Sequence, residues 1–361
     1  MSVKMNRGIE SLRPYQVSAG AALSVGNKSQ CLKLDWNEAA IAPSPRVAEA
    51  IASYLDRGGL NYYPDVSATE LRIKLSEYTC LHTEHIRAFN GSDAALRDLC
   101  AAFLNPDDVV LIREPTYTQI RTFIAAQGAR ANPFLASEPL DATVGALNEA
   151  ILDTDARMVY LVNPNNPTGL LYHTATIGYL CESHPRTLFV VDEAYHEFCE
   201  FTSAPLVPAY GNLAVTRTFS KAFGLAGLRL GYLLAGLEVM GGIDKVRNGK
   251  EVNTLAQVAG VAALADLDYM WAFVEQVRET QRETAAELRA LGYEVVTTPA
   301  NFLLVKVADP AGLVRFLAAR SVLVRDRSTL PQMDGYVRVT IGTPEQMARF
   351  VDVMNEAARG L

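Results

Sequence analysis

Between about residue 47 and residue 236, short apolar runs alternate with longer amphipathic stretches, and this alternation restricts the possible folds more than any other feature of the sequence. Five runs are apolar almost throughout: VVLIRE (109–114), RMVYLVN (157–163), TLFVVDEA (187–194), LAVTRTFS (213–220) and LRLGYLLAG (228–236). Such runs are typical of strands buried on both faces, and the helical patterns between them favour parallel pairing. The sequence therefore predicts an α/β domain in which helices flank a central, mostly parallel sheet.

A smaller unit of a different kind follows. A long helical pattern over about residues 264–291 leads into four strand-like runs, YEVVTT, FLLVKV, VLVRD and GYVRVTIG, and a closing helical pattern, PEQMARFVDVMNEAA. We predict a large α/β domain over 46–265 and a small α+β domain over 266–361. Residues 1–45 have weak periodicity, and we expect them to form an arm that packs on the small domain.

Charge and cysteine content argue against several classes of protein. The formal net charge is −7 at pH 7 and no Lys/Arg-rich run occurs, so we expect neither nucleic acid nor a membrane as a partner. The five cysteines are scattered without a C-x-x-C pair, which disfavours disulfides and zinc and favours the cytoplasm. The N-terminus has no apolar signal core. The apolar stretch 252–267 is too short and polar to span a bilayer and predicts a core helix.

Polar side chains collect where the predicted strands end. In parallel sheets, ligands bind beyond the carboxyl ends of the strands. Asn166 follows one predicted strand, Asp192 ends the next, and Lys221 comes directly after a third. The segment FNGSDAALRDL (89–99) begins a helix with Gly-Ser-Asp, and helix N-termini bind phosphate groups well. These positions predict a site at this edge of the sheet.

Each of these residues also has an ordinary structural interpretation. Asn166 can belong to a simple turn, and Ser92 and Asp93 can cap a helix. Asp192 can be a solvated loop acid, and Lys221 can extend along the surface into water. Their occurrence together, in this order, favours a shared site over separate explanations.

Together these segments resemble those of the fold-type-I pyridoxal-phosphate (PLP) enzymes, and more closely the histidinol-phosphate aminotransferase family. The segment TFSKAFGLAGLRLG (218–231) matches the lysine signature of that family, and the match is highly specific. Six further segments match: NYYPD (61–65), FNGSD (89–93), EPTY (114–117), NPNNPTG (163–169), DEAY (192–195) and VRVTIGT (337–343). The resemblance covers about residues 34–343 and implies the PLP-dependent transferase fold of aspartate aminotransferase, with PLP as cofactor and no metal.

The resemblance implies roles for the residues around the cofactor ring. Lys221 would bind PLP covalently and, once an amine displaces it, would move a proton during catalysis. Asp192 would pair with the protonated ring nitrogen. Tyr195 and Asn166 would hydrogen-bond the ring's 3′ oxygen. Tyr117 would lie against the face of the ring, with ordinary core packing as the alternative.

For the cofactor's phosphate, the resemblance implies five donors: the backbone amides of Ser92 and Asp93, the hydroxyls of Thr218 and Ser220, and the guanidinium of Arg229. Lysine, hydroxyls and arginine of one short segment would then bind both ends of one cofactor. Tyr63, in the YPD element, corresponds to the tyrosine that reaches the phosphate in the neighbouring subunit. This implies a homodimer with shared active sites, with a tyrosine packed in a helix–helix interface as the alternative.

On the substrate side, the resemblance implies two arginines and an asparagine. Arg338 would hold the carboxylate of the amino acid through a bidentate pair. Arg325 would contact the substrate's anionic group, unless it forms a surface ion pair with Asp326 or Asp309. Asn37 would close over the pocket.

Three segments depart from the family's pattern. The arm reads NEAAIAPSP (37–45) where the family has N-E-N-P-x-G-P-S-P, Ala94 replaces an acidic residue, and RNGKEVNT (247–254) replaces a Pro-Tyr/Phe-Asn-type turn. The arm and the loop border the substrate, so the resemblance implies PLP while leaving the acceptor open. Lys250 in this loop is a candidate contact for an anionic group, although a solvated lysine is the simpler interpretation.

The activity implied by the resemblance is that of an aminotransferase in amino-acid biosynthesis (EC 2.6.1.-, with 2.6.1.9 as one candidate). L-glutamate would donate the amino group, and a small phosphorylated carbonyl compound or a 2-oxo acid would accept it, in a ping-pong reaction. The alternatives are a PLP-dependent decarboxylase of a phosphorylated amino acid and a non-catalytic PLP-fold binding protein. Transamination and decarboxylation differ in which substrate bond stands perpendicular to the ring, a property of the pocket.

Overall fold

The structure, a computed structural model, describes residues 3–10, 12, 31–137 and 144–360 of the chain. The strands within these residues are β1 (Leu32–Lys33), β2 (Ile86–Phe89), β3 (Val109–Glu114), β4 (Arg130–Leu135), β5 (Met158–Val162), β6 (Leu188–Asp192), β7 (Leu213–Thr218), β8 (Gly231–Ala235), β9 (Glu294–Thr297), β10 (Phe302–Lys306), β11 (Val322–Leu323), β12 (Arg325–Asp326) and β13 (Tyr336–Thr340). They form one large sheet, one small sheet and a two-stranded ribbon.

The large sheet has seven strands in the order β2-β8-β7-β6-β5-β3-β4. From β4 to β7 all neighbours are parallel, whereas β8 runs antiparallel to both β7 and β2. β5 and β6 are buried along their whole length, as their apolar sequences require. The predicted mostly parallel sheet is therefore confirmed, and the ends of β5, β6 and β7 meet at one edge.

The α-helices within the described residues are α1 (Pro45–Asp56), α2 (Thr69–Thr79), α3 (Ser92–Phe103), α4 (Ile120–Ala126), α5 (Val144–Thr154), α6 (Thr174–Ser183), α7 (Leu237–Val246), α8 (Thr254–Leu264), α9 (Leu267–Ala290), α10 (Pro310–Ala318) and α11 (Pro344–Gly360). The predicted core helix is α8; it packs against α1 and α2, and Asn253 caps it by accepting a hydrogen bond from Ala256 N (2.8 Å). No helix in this part of the chain is long and apolar enough to cross a membrane.

The small sheet has four antiparallel strands in the order β12-β13-β10-β9. The predicted run VLVRD divides here, because β11 pairs in parallel with β1 while β12 joins the small sheet. The N-terminal segment thus contacts the C-terminal part of the chain, and Thr340 N also donates to Leu34 O (2.9 Å). Much of the predicted arm, including residues 13–30, lies outside the described residues, and the domain boundaries stay predictions.

Candidate active site

A cavity of about 280 Å³ lies at the carboxyl edge of the large sheet, next to the small sheet. Twelve predicted site residues line it: Ser92, Asp93, Tyr117, Asn166, Asp192, Tyr195, Thr218, Ser220, Lys221, Arg229, Arg325 and Arg338. Asn37 and Tyr63 do not line it. Five lining residues were not predicted: Asp35, Trp36, Val162, Ala194 and Arg327. Sequence reasoning thus placed the cofactor residues together and missed part of the wall formed by the arm and the small sheet.

Lys221 follows the end of β7 and is half-buried. Its Nζ donates a hydrogen bond to the backbone O of Trp36 (3.0 Å) and lies 5.8 Å from the centre of the Tyr195 ring. Burial lowers the pKa of this amine, and the positive charge of Arg338 acts in the same direction while Tyr195 opposes it. A lower pKa increases the fraction of neutral amine, which is the form that attacks an aldehyde.

Asp192 ends β6 and is buried between β5 and β7. Its Oδ2 accepts a hydrogen bond from the hydroxyl of Tyr160 (2.9 Å), whereas its Oδ1 has no hydrogen-bond partner among the described residues. Burial raises the pKa of this carboxyl to about 6, and the Tyr160 hydrogen bond opposes the rise. A buried carboxylate oxygen without a partner is destabilising, so this atom is suited to accept an N–H from a ligand.

A hydrogen-bond network joins three distant parts of the chain beside the lysine. The hydroxyl oxygen of Tyr195 accepts from Asn37 Nδ2 (3.0 Å) and from Asn166 Nδ2 (3.2 Å). The Oδ1 of Asn166 accepts in turn from Arg338 Nη1 (2.7 Å). Asn37 is fully buried and its backbone N donates to Thr340 Oγ1 (2.9 Å). In this structure Asn37 therefore orients Tyr195, and other residues of the arm line the cavity.

The start of α3 forms one corner of the cavity. Gly91 (φ +80°) precedes the helix, and a Cβ at this position would lie 2.9 Å from Arg229 Nη2, so glycine leaves room for the guanidinium. The same Nη2 lies 3.4 Å from Asp93 Oδ2, and Asp93 Oδ1 accepts a hydrogen bond from the Tyr117 hydroxyl (3.0 Å). The helix N-terminus and the guanidinium together favour an anion at this corner.

Two hydroxyls border the same corner. Thr218 Oγ1 donates to Ser220 Oγ (2.9 Å), and both side chains are buried. A Cβ at Gly231 would lie only 2.5 Å from Ser92 N, so a larger residue would displace the start of α3. The segment 218–231 thus contributes both the hydroxyls and the clearance that this corner needs.

Three arginines of the small sheet and its edge line another part of the cavity. Arg325 on β12 lies opposite Arg338 on β13, and Arg327 follows Arg325 by two residues. Arg338 is buried, and its Nη2 donates to the backbone O of Asp35. The alternation of side chains along a strand places residues i and i+2 on one face, and this is the signal in VRDRS that identifies Arg327.

The two acids considered as partners for Arg325 make other contacts. Asp309 Oδ1 accepts from Gly312 N at the start of α10 (2.8 Å). Asp326 Oδ1 accepts from Ser328 N (2.8 Å) and from Ser328 Oγ (2.6 Å). Each carboxylate therefore stabilises a local turn.

Tyr63 lies outside the cavity, and 79% of its surface is exposed. The Nζ of Lys250 lies 4.4 Å from the centre of its ring. The large apolar side chains of Leu60, Tyr62 and Val66 are exposed nearby in sequence. Within one chain this segment does not reach the cavity, and the role of Tyr63 stays a prediction.

The residues present fit PLP. Lys221 offers an amine of lowered pKa for the aldehyde, and Asp192 Oδ1 offers a buried acceptor for the ring nitrogen. The corner formed by Gly91 and Arg229 offers donors and clearance for the phosphate. Within the described ranges, no group of acidic, His or Cys side chains could hold a metal ion.

Comparisons with known proteins agree with this fit. Residues 29–354 match the family model for class I and II aminotransferases. The chain is 35% identical to a dihydroxyacetone phosphate transaminase of Campylobacter jejuni, over 99% of this chain and 98% of that one. It is 36% identical to a histidinol-phosphate aminotransferase of Citrifermentans bemidjiense, over 91% of this chain and 92% of the relative. The crystal structure of histidinol-phosphate aminotransferase from Sinorhizobium meliloti in complex with PLP has a TM-score of 0.90, at 23% identity over 99% of this chain and 98% of that one, which confirms the predicted fold.

Proposed function

We propose an acceptor and a set of residue roles for this chain, which belongs to the class I and II aminotransferase family. The chain is a PLP-dependent aminotransferase, and its acceptor in our proposal is a small ketone that carries a phosphate ester, with L-glutamate as the donor. The observation that carries this proposal is the group of three arginines, Arg325, Arg327 and Arg338, in the wall of the cavity. The decarboxylase alternative has less support, because both similar relatives are named as enzymes that transfer amino groups.

The substituents of two candidate ketones restrict the choice of acceptor further. Dihydroxyacetone phosphate carries a hydroxymethyl and a phosphoryloxymethyl group on its carbonyl carbon. The ketone that corresponds to histidinol phosphate has the same phosphoryloxymethyl group and an imidazolylmethyl group instead of the hydroxymethyl. One phosphate subsite would therefore serve either ketone. We propose dihydroxyacetone phosphate, because the relative named for it matches this chain from end to end.

The residues around the cofactor ring have separate roles, one in proton transfer and the others in hydrogen bonding. Bound PLP supplies an aldehyde and a ring that accepts electrons. The Nζ of Lys221 takes the proton from the Cα of glutamate and delivers one to the carbonyl carbon of the acceptor. Asp192 Oδ1 accepts the ring N–H and keeps that nitrogen protonated. The Tyr195 oxygen already accepts from Asn37 and Asn166, so its own proton is available for the ring's 3′ oxygen.

The remaining predicted residues hold the cofactor and the donor. Tyr117 would pack against the ring, and Arg338 would bind the α-carboxylate of glutamate through its guanidinium. The donors to the cofactor's phosphate would be the amides of Ser92 and Asp93, the hydroxyls of Thr218 and Ser220, and Arg229.

Our proposal also includes a homodimer in the cytoplasm. The support is the exposed segment around Tyr63, which carries large apolar side chains and contacts Lys250. Tyr63 would complete the cofactor's phosphate site in the other subunit. Light scattering would then give about twice the chain mass of 39.3 kDa. Dimers mixed from Tyr63→Ala and Lys221→Ala subunits would regain one active site, and a monomer or fully inactive mixed dimers would contradict the proposal.

Separate half-reactions test the acceptor. Purified enzyme loaded with PLP is treated with L-glutamate, freed of it, and then mixed with single acceptors while the cofactor's absorption spectrum is followed. We expect dihydroxyacetone phosphate to restore the starting spectrum with a kcat/KM roughly tenfold or more above that of the imidazole-bearing ketone.

Two results would change the conclusion. If unphosphorylated 2-oxo acids other than 2-oxoglutarate react faster than both phosphorylated ketones, the acceptor is wrong. If glutamate leaves the spectrum unchanged while a phosphorylated amino acid releases CO2, the protein is a decarboxylase.

A further inference from the structure

We infer that the buried ion pair between Glu193 and Arg217 positions the two ends of the cofactor site relative to each other. Glu193 follows Asp192, the proposed partner of the ring nitrogen, and Arg217 precedes Thr218, a proposed donor to the cofactor's phosphate. The pair would thus set the spacing between the ring end and the phosphate end of the site. This inference rests on the proposed roles of Asp192 and Thr218 and does not depend on the acceptor.

The ion pair lies behind the wall of the cavity. Asp192 and Thr218 line the cavity, whereas Glu193 and Arg217 do not. Successive side chains along a strand point to opposite faces of the sheet, so the ion pair lies on the face opposite the cavity-lining side chains. Glu193 and Arg217 therefore do not contact the reacting atoms, and they act on the reaction through the positions of their neighbours.

The backbone connects the ion pair to the strands that carry the site. Asp192 on β6 lies opposite Thr216 on β7, and Glu193 N continues this ladder by donating to Thr216 O (2.8 Å). Arg217 lies opposite Tyr232 on the next strand, β8. A displacement of either charged side chain would therefore shift the end of β6 against the end of β7, where the cavity-lining side chains project.

The pair is buried, and both carboxylate oxygens are hydrogen-bonded. Glu193 Oε2 accepts from Arg217 Nε (3.0 Å) and Nη2 (2.9 Å) and from the hydroxyl of Thr202 (2.8 Å). Glu193 Oε1 accepts from Ser203 N, and Arg217 Nη1 donates to the hydroxyl of Tyr232 (3.4 Å). Only 0% of Glu193 and 3% of Arg217 is exposed. This network holds the two side chains in one arrangement, because moving either would leave a buried charge without a partner.

Stability alone does not account for such a pair. Taking two charges out of water costs free energy, and replacing a buried ion pair by neutral side chains of similar volume is often neutral or stabilising. A fixed geometry is the remaining benefit. A site that contacts a rigid ring and its phosphate at once needs its contact groups held within roughly 0.5 Å, and an ion pair across the two strand ends meets this need.

Two ligands that do not react distinguish the spacing of the site from its general integrity. Pyridoxine 5′-phosphate carries the ring nitrogen and the phosphate but an alcohol instead of the aldehyde, so it reaches both ends without a covalent bond to Lys221. Inorganic phosphate occupies the phosphate end alone. The measurements are the Kd of each ligand for the apo-protein by calorimetry and the melting temperature of the apo-protein.

The main variant is Glu193→Gln/Arg217→Met, which removes both charges together and leaves neither one buried without a partner. We expect a melting temperature close to that of the wild type and an unchanged Kd of inorganic phosphate. The Kd of pyridoxine 5′-phosphate should rise about tenfold, the effect of one misplaced hydrogen bond. Arg87→Met is the matched control, because it removes a two-bonded ion pair with Asp244 (2.9 and 2.7 Å) on another strand of the same sheet. Both affinities should stay unchanged in the control.

If the double variant does not fold, Thr202→Val gives the same comparison, because it removes the hydroxyl that contacts both charges and leaves them paired. The same pattern is then expected, with a loss of a few-fold. An unchanged Kd of pyridoxine 5′-phosphate in the folded variant overturns the inference, and so does an equal loss for both ligands.

The wild-type protein separates this inference from the proposed function. If it binds pyridoxine 5′-phosphate no more tightly than inorganic phosphate, the roles proposed for Asp192 and Thr218 are wrong and the inference fails with them. If L-glutamate does not react, the proposed donor is wrong, and the comparison of the two ligands still tests the ion pair.

Discussion

The cofactor side and the substrate side of the cavity are built in different ways. On the cofactor side, Asp192 and Thr218 end adjacent parallel strands of one sheet, and Lys221 follows directly. On the substrate side, Trp36 comes from the N-terminal segment, and Arg325 and Arg338 come from a separate antiparallel sheet. The first three residues lie on or directly after adjacent strands of a single sheet, while the other three come from parts about 300 positions apart in the chain.

In our proposal, this contrast separates the residues that carry out the chemistry from those that select the substrate. On the cofactor side, Tyr160 hydrogen-bonds the buried carboxylate of Asp192, and in our proposal this carboxylate and the amine of Lys221 take part in the reaction of every substrate. In our proposal the substrate side determines which anion is bound. The following predictions test whether the two sides are independent.

Removing the amine tests the cofactor side most strongly. Lys221→Ala should abolish the visible absorption of the lysine-bound cofactor and reduce transamination on the order of 10⁴-fold, because the proton carrier is lost. The melting temperature of the apo-protein should stay close to that of the wild type, since the side chain is only half-buried. Spectra and steady-state rates measure this, and substantial remaining turnover would refute the role of Lys221.

Asp192→Asn tests the ring partner. We expect kcat to fall by about 10²- to 10³-fold with every acceptor alike, because the charge that stabilises the electron-accepting ring is removed. The ratio between phosphorylated and unphosphorylated acceptors should not change. A loss confined to phosphorylated acceptors would show that the two sides are not independent.

Tyr63→Phe tests whether the cofactor side is completed by a second subunit. Loss of one hydrogen bond to a charged phosphate should weaken PLP retention by about tenfold. The neighbouring Tyr62→Phe is the control, since Tyr62 is similarly exposed. Equilibrium dialysis of the cofactor measures both, and equal retention in the two variants would argue against a shared site.

Trp36→Ala tests the size limit of the substrate side. Trp36 lines the cavity, and its backbone O accepts from Lys221 Nζ. We expect the truncated side chain to raise kcat/KM for the imidazole-bearing ketone relative to dihydroxyacetone phosphate by a few-fold to about tenfold. Trp271→Ala, on α9 and outside the cavity lining, should leave the ratio unchanged.

The smallest effect concerns the apo-protein. Because burial raises the folded-state pKa of Asp192 from 3.8 to about 6, the folded chain holds this proton more tightly than the unfolded chain does. The contribution of this group to stability therefore falls as the pH rises from about 4 to about 6 and stays low above that range. Asp192→Asn removes this titration. The melting temperature of the variant minus that of the wild type should therefore be larger at pH 8 than at pH 4.5, by roughly several degrees. An equal difference at both pH values would contradict the raised pKa.

Sequence patterns were sufficient for the cofactor side because its geometry follows from local periodicity. An apolar run predicts a buried strand, and parallel strands bring their carboxyl ends to one edge, so Asn166, Asp192 and Lys221 had to be near one another. The same patterns could not predict that β8 is antiparallel, since an apolar run does not indicate the direction of a strand relative to its neighbours. β4, an exposed edge strand that contains Pro133, had too weak a pattern to be predicted.

On the substrate side, local patterns were not sufficient. Asn37 is predicted to close over the pocket; in the structure its backbone has φ +54° and its side chain is hydrogen-bonded to Tyr195 and Thr340. Arg327 was missed because the alternation that places it on one face with Arg325 holds only if the ladder between β12 and β13 continues past Asp326. Neither the turn at Asn37 nor that register is encoded within a few neighbouring residues.

The sequence by itself determined the fold class, the cofactor and twelve residues that line one cavity, because apolar periodicity sets which segments are strands and the lysine segment is a specific family signature. Only the tertiary structure decided which residues of the arm and the small sheet face the cavity. Those directions depend on strand pairing and backbone torsions between segments far apart in the chain, and contacts of that kind have no local sequence pattern.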